Sequence, residues 1–136
     1  MAMLLGAADL AEYIARNYPG RVVEVGVGHV LDVAVELKAR GLVVEATDRA
    51  KRHIGGMKIQ EDDVFSPRME LYQGAGLIYS IRPPLEMQLA IGCLARQVGA
   101  DVLIRPLQDE IADLPGFARR LVNAGEARFY LFELLH

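Results

Sequence analysis

The segment Val22–Val30, VVEVGVGHV, is a β-branched run that breaks at two glycines, Gly26 and Gly28. A run of this kind suits a strand covered on both faces, and glycines at its end permit a sharp turn and close approach of a ligand to the backbone. Dinucleotide-type loops carry a third glycine, which would fall at position 31, and a related pattern would place it at position 30. Those positions hold Leu31 and Val30. The loop is therefore two-thirds of a nucleotide-binding turn, and a G-x-G alone is as often a plain strand-to-helix connection.

Downstream, HVLDVAVELKARG sets Val30, Leu31, Ala34, Val35 and Leu37 on a helical stripe closed by Gly41, and LVVEAT reads as a second strand ending at Asp48. Residues 21–48 thus predict a β-α-β unit with parallel strands and a right-handed crossover. Upstream, Asp9 is placed to cap the helix LAEYIARNY, which Pro19-Gly20 ends. Beyond Asp48, RAKRHIGG suits a loop or weak helical turn, MKIQEDDVFSP a short strand running into an acidic turn, and GLIYSI a central parallel strand ending at Arg82-Pro83-Pro84. LEMQLAIGCLARQVG is the next helix, with Pro84 near its start and Gly99 near its end; DVLIRPL reads as a strand, LPGFARRLVNAG as a helix and RFYLFELL as the last strand. The expected architecture is α/β: a single Rossmann-like domain over residues 1–136, with one doubly wound, mostly parallel sheet of about six strands.

With 136 residues, 52% of them apolar, the chain can bury a core without metal or disulfide support. Its net charge is −3 and its basic residues are dispersed, which gives no support to nucleic-acid binding. Cys93 is the single cysteine, so an internal disulfide or thiolate cluster is excluded, and His53 and His136 have no ligand-like spacing to it; no metal is expected. The N-terminal MAMLLGAADLAEY lacks both the basic start of a secretory signal and the length of a spanning helix. A cytoplasmic protein without a membrane partner is expected.

Open parallel sheets bind ligands beyond the carboxyl ends of their strands, where the strand order reverses. Acidic residues fall in order along that rim: Glu24 two residues before Gly26, Asp48 at the second strand's end, and Asp62 and Asp63 after the third. Asp48 is placed to accept from ribose hydroxyls and repel a 2′-phosphate; a carboxylate past the third strand can accept from an adenine amine, and Glu24 can orient the loop or meet an ammonium group. Singly, each reads better as a solvated loop charge or helix cap. Their order favours a small-molecule nucleoside cofactor.

Two further stretches, SIRPP and LIRPL, share Ile-Arg-Pro and put Arg82 and Arg105 at the ends of neighbouring strands. Two guanidinium groups there can clamp a carboxylate or phosphate. The favoured alternative is that they pair with Glu86, Asp109 or Glu110 and fix loops. Tyr79 and Ser80 are substrate-contact candidates, core burial being at least as good a reading for Tyr79. His29 titrates in the range of a general base, although a solvated or capping histidine is the commoner case. The last strand is apolar on both faces; as a sheet edge it would need cover, which a homodimer would supply.

EVGVG, ATD and EDDVF resemble motifs of class I S-adenosylmethionine-dependent methyltransferases, whose loop is E/D-x-G-x-G-x-G. Together with LIYSIRPPLEMQ and the FYLFE ending, they make the chain similar over most of its length to the small archaeal uncharacterised protein family 0146. The resemblance implies a methyltransferase-like fold and S-adenosylmethionine as cofactor, with Glu24, Gly26 and Gly28 in the loop, Asp48 on the ribose and Asp63, or else Asp62, on the adenine. Val30 departs from the loop's last glycine. A second departure is Arg82-Pro83-Pro84-Leu85, where amine-directed enzymes often carry D/N-P-P-aromatic: it has neither the acceptor-aligning carbonyl nor the stacking ring. With one strand read beyond DVLIRPL, the closing hairpin of a complete catalytic domain is expected to be missing, a truncated form whose pocket a partner subunit would wall. Three classes stay open: a methyltransferase-like protein of unknown acceptor, an NAD-binding protein in which Glu24 and Asp62-Asp63 lack a task, and a non-catalytic oligomerisation or regulatory module.

Overall fold

β1 (Arg21–Val25) pairs in parallel with β2 (Val43–Asp48) on one side and β5 (Leu77–Ile81) on the other. Such a position favours apolar side chains on both faces, and Val22, Val23 and Val25 are at most 3% exposed. The computed structural model describes residues 4–28, 30–54 and 56–136. Adding β3 (Arg52–Ile54), β4 (Met57–Glu61), β6 (Asp101–Arg105), β7 (Phe117–Ala124) and β8 (Ala127–Leu134) gives one sheet in the order β3-β4-β2-β1-β5-β6-β8-β7. The five strands from β4 to β6 are parallel, while β3, β8 and β7 join antiparallel. From β1 the chain works outward to β2 and β4, then returns to β5 on β1's other flank. Strand order therefore reverses between β1 and β5.

Alternate residues of β1 feed two apolar layers. On one face, α1 (Ala7–Asn17) and α2 (Asp32–Ala39) bring Leu10, Ile14 and Leu37 onto Val22, Leu77, Leu103 and Phe129. On the other, α3 (Leu85–Val98) packs Ile91, Leu94 and Ala95 onto Val23, Val25, Ile78 and Phe132. Pro84 stands at the N-cap of α3, and Gly99, at φ 79°, closes it in the left-handed conformation. This is the doubly wound α/β sheet expected. Among the described residues no helix is long and apolar enough to cross a membrane.

Several elements differ from the sequence reading. The sheet has eight strands, not about six. GFARRLVNAG is not a helix: Phe117–Ala124 forms β7, which pairs with β8 through its whole length, so the closing hairpin is present. The fold is not truncated there. Gly125, at φ 57°, makes the turn, and a side chain on it would collide with Asp9. Asp9 does not cap α1, which starts at Ala7 behind Gly6; its carboxylate accepts the Glu126 amide at 2.9 Å and ties the helix to that turn. RAKRHIGG contributes the short strand β3 rather than a loop or helical turn. Lastly, β8 lies between β6 and β7, which removes the bare apolar edge from which a homodimer was inferred; the edge strand β7 carries exposed Arg119 and Arg120 instead.

Phe132 is fully buried and meets the Phe117 ring edge-on at 6.4 Å, whereas Arg120 pairs with Glu133 at 3.1 Å with both side chains more than half exposed. In urea unfolding, Phe132→Ala is expected to cost about 3–5 kcal/mol and Arg120→Ala about 1 kcal/mol or less. Equal, small losses would mean that the hairpin adds nothing to the core.

Candidate functional site

The turn after β1 is tied down. The amides of Gly26 and Val27 both donate to the Thr47 carbonyl, at 3.0 and 3.2 Å, which brings the loop against the end of β2. Gly26 and Gly28 take φ of 69° and 56°, where a side chain is strained. A Cβ on Gly26 would also lie 3.3 Å from the Met87 sulfur. The absent third glycine has a packing reason: Leu31 is 6% exposed and joins Val27, Ala34, Ala46 and Ile59 in an apolar cluster. α2 begins only at Asp32, so its N-terminus stands off from the glycine turn, and the Asp32 carboxylate accepts the Leu4 amide at 2.7 Å. His29 lies outside the described residues.

Gly26, Asp48, Asp62 and Asp63 line one recess of about 60 Å³, walled by Val25, Val64, Phe65 and Met87. Small-molecule sites commonly enclose about 300 Å³ or more. A nucleoside therefore fits only when the wall moves, and the pliant candidates are Met87, an unbranched thioether, and Phe65, 58% exposed. Two residues that the sequence reading missed complete the rim. One is Met87, for which no motif gave a signal. The other is Arg52, whose guanidinium binds the Asp48 carboxylate and donates to the Gly28 carbonyl at 2.6 Å, clipping the β2 tip to the glycine turn.

The adjacent aspartates divide their work. Asp62 is buried and engaged: it accepts the Arg68 amide at 2.9 Å and the Tyr72 hydroxyl, and burial, with that carboxylate adding to it, raises the Tyr72 pKa. Asp63 accepts the Phe65 amide at 2.9 Å through Oδ1, leaving Oδ2 without a partner among the described residues. Of the two, Asp63 is the one free to meet a ligand.

Glu24 does not line the recess. It shares the α1/α2 face of β1 with Val22 and faces Tyr79 across the β1–β5 register, both side chains being at most 1% exposed. Its Oε1 and the Tyr79 hydroxyl lack hydrogen bonds of ordinary geometry. Burial pushes the Glu24 carboxyl up to about 8; the nearby Tyr79 hydroxyl eases the shift, and the Asp32 and Asp48 charges add to it. Tyr79 is itself raised well above its ordinary value by burial and by Glu24. Ser80 points to the α3 face and donates to the Val25 carbonyl at 2.7 Å, so it braces β1. Neither Tyr79 nor Ser80 reaches a surface where substrate would lie.

Arg82 and Arg105 do meet at adjacent strand ends, where the Arg82 amide donates to the Arg105 carbonyl at 2.7 Å. Neither forms a salt bridge with Glu86, Asp109 or Glu110 among the described residues, contrary to the pairing favoured from sequence. The following Pro83 is locked: its carbonyl accepts from the buried Gln88 amide at 3.1 Å, and Gln88 also holds the Glu110 carbonyl and the Ala112 amide.

Because the folded Glu24 pKa, about 8, lies above its ordinary 4.5, the native state holds a proton there that the unfolded chain has lost between those values. Stability should fall as pH rises through that window and level off above it. Denaturant unfolding between about pH 5 and pH 9 is expected to show this fall in the wild type and a flatter profile, with higher stability at the alkaline end, in Glu24→Gln. Identical profiles would mean that the carboxyl is solvated or paired.

The profile of an uncharacterised protein family, UPF0146, matches residues 7–134. A UPF0146 protein of Archaeoglobus fulgidus is 46% identical over 124 residues, spanning 90% of this chain and 92% of its own. Its counterpart in Methanothermobacter thermautotrophicus is 45% identical over 125 residues, spanning 90% and 91%. Among solved structures, a SAM-dependent methyltransferase of Aquifex aeolicus superposes with a TM-score of 0.64 at 12% identity, covering 98% of this chain and 91% of that one. At that identity the likeness establishes the Rossmann-like fold shared with methyltransferases. The chain belongs to the uncharacterised protein family UPF0146.

Proposed function

We propose that this protein binds an adenosyl cofactor of the S-adenosylmethionine type over the tips of β1, β2 and β4, as a methyltransferase-like protein whose acceptor is not an amine held by an aromatic tetrad. The observation that carries this reading is the convergence of Gly26, Asp48 and Asp63, which come from three strand ends, on one apolar-walled recess beside the strand-order reversal. Asp48 would accept from the ribose hydroxyls and Asp63 from the adenine amine, while Val64, Phe65 and Met87 flank the base. Bound S-adenosylmethionine supplies an electrophilic methyl group; the chain's part is to orient it and exclude water.

The loop's hydrogen bonding favours this over a dinucleotide. A pyrophosphate is held by free amides at a glycine turn and helix N-terminus. Here the Gly26 and Val27 amides are engaged by Thr47, and α2 starts beyond the turn. A sulfonium nucleoside needs no such donors.

Calorimetric titration is expected to show binding of S-adenosylmethionine and S-adenosylhomocysteine and none of NAD. Asp48→Ala should weaken binding about tenfold or more with the melting cooperativity kept, as loss of charge-assisted hydrogen bonds requires. Silence from all three ligands would favour a non-catalytic module, and an unchanged affinity in Asp48→Ala would remove the ribose assignment. Met87→Ala, which removes one of the side chains flanking the base, is expected to weaken S-adenosylhomocysteine binding; tighter binding would show instead that Met87 obstructs the recess.

A further inference from the structure

A second recess lies beyond the other end of the rim, and it gathers cations that have no partner. It measures about 190 Å³ and is lined by Arg105, Pro106, Gln108, Asp109, Arg128 and Tyr130. Arg105 closes β6, and Arg128 enters from β8, whose Tyr130 is paired with Ile104. None of Arg82, Arg105 and Arg128 forms a salt bridge among the described residues, Asp109 in the wall included. The Nη1 of Arg105 is buried without any hydrogen-bond acceptor. Burial, together with the charge of Arg82 beside it, holds the Arg105 guanidinium below its ordinary range.

The backbone around this recess is strained as well. Among the described residues, the two non-glycine positions with positive φ are Arg82 at 57°, whose amide donates to the Arg105 carbonyl, and Gln108 at 55°, in the recess wall. Each such residue costs on the order of 1–3 kcal/mol and persists where the surroundings enforce it. Like charges brought together, a buried donor left bare and two strained residues are each unfavourable to the fold alone. An anion among them offsets the first two.

We propose that this recess is an anion-binding site for a phosphate group, held by the guanidinium groups of Arg105 and Arg128 and flanked by Arg82. Planar guanidinium groups meet phosphate oxygens through paired N–H donors, and two or three of them match a dianion better than the single charge of a carboxylate. The volume is several times the roughly 30 Å³ share of a water molecule, enough for the phosphate of a larger ester to enter from solvent. The site is separate from the Gly26–Asp48–Asp63 recess and stands whether or not that recess takes an adenosyl cofactor.

The test is titration of the full chain with inorganic phosphate at constant ionic strength, followed calorimetrically and by the ring resonances of Tyr130. Saturable binding is expected, at least about tenfold weaker in Arg105→Gln and in Arg128→Gln, and unchanged in Arg16→Gln on the distant helix α1. Arg105→Gln removes a partly buried cation whose Nη1 lacks a partner, so in phosphate-free buffer the variant should melt no lower than the wild type. Arg105→Lys keeps the charge without the planar fork and is expected to bind with intermediate affinity. Phenyl phosphate serves as the second probe: tighter binding than inorganic phosphate would identify a phosphate ester as the natural ligand, and equal or weaker binding the free ion. No saturable binding by the wild type, equal affinity in all variants, or binding of succinate in preference to phosphate would overturn the proposal.

Discussion

The carbonyl of Thr47 is the contact on which the rest of the site depends. By accepting the amides of Gly26 and Val27, it folds the end of β1 across the end of β2, so that Gly26 and Asp48 face the same space. Parallel pairing of β1 with both β2 and β5 fixes the height of that contact, and Arg52 secures it from outside by holding Asp48 and the Gly28 carbonyl together. The same tie removes two amides from the list of donors a phosphate would seek at such a turn. One interaction thus builds the rim and narrows the chemistry suited to it.

The β-α-β unit was legible because Val22–Val25 is a buried β-branched run ended by Gly26, and because Gly41 closes the helical stripe before the β-branched start of LVVEAT. The hairpin was not. As an edge strand β7 leaves both faces largely exposed, so the period-two alternation that marks a half-buried strand never develops in ARRLVN, while leucine, alanine and arginine there suit a helix equally well. Ala124-Gly125-Glu126-Ala127, a two-residue turn with glycine in first place, was the available signal.

At the site, acidic residues could be ordered along the rim from sequence, but their facing could not. Glu24 lies one residue before the end of β1 and Asp48 ends β2; register turns one under α1 and α2 beside Tyr79 and leaves the other at the recess. Asp62 and Asp63 are neighbours whose roles separate only when Tyr72, ten residues on, returns to claim the first. Arg52 stands four residues after Asp48, a spacing that means little until β3 folds back along β4. Met87 reaches Gly26 from α3, across the sheet's reversal, which no local pattern records.

Electrostatics is distributed unevenly over this small fold. A buried carboxyl with one oxygen unpartnered lies under the glycine turn, and a partly buried guanidinium with one buried nitrogen unpartnered lies at the end of β6. Each weakens the native state unless something else compensates it, and proteins tolerate such costs chiefly where ligands bind. Between the two lies the strand-order reversal, where an open sheet offers its natural crevice. The most direct measurement is a residue-resolved amide NMR titration with S-adenosylhomocysteine. The largest shifts are expected at Gly26, Asp48 and Asp63–Phe65, with the Met87 methyl displaced and Arg128 unmoved. Shifts centred on another surface, or none at saturating ligand, would contradict a nucleoside site at the joined tips of β1, β2 and β4.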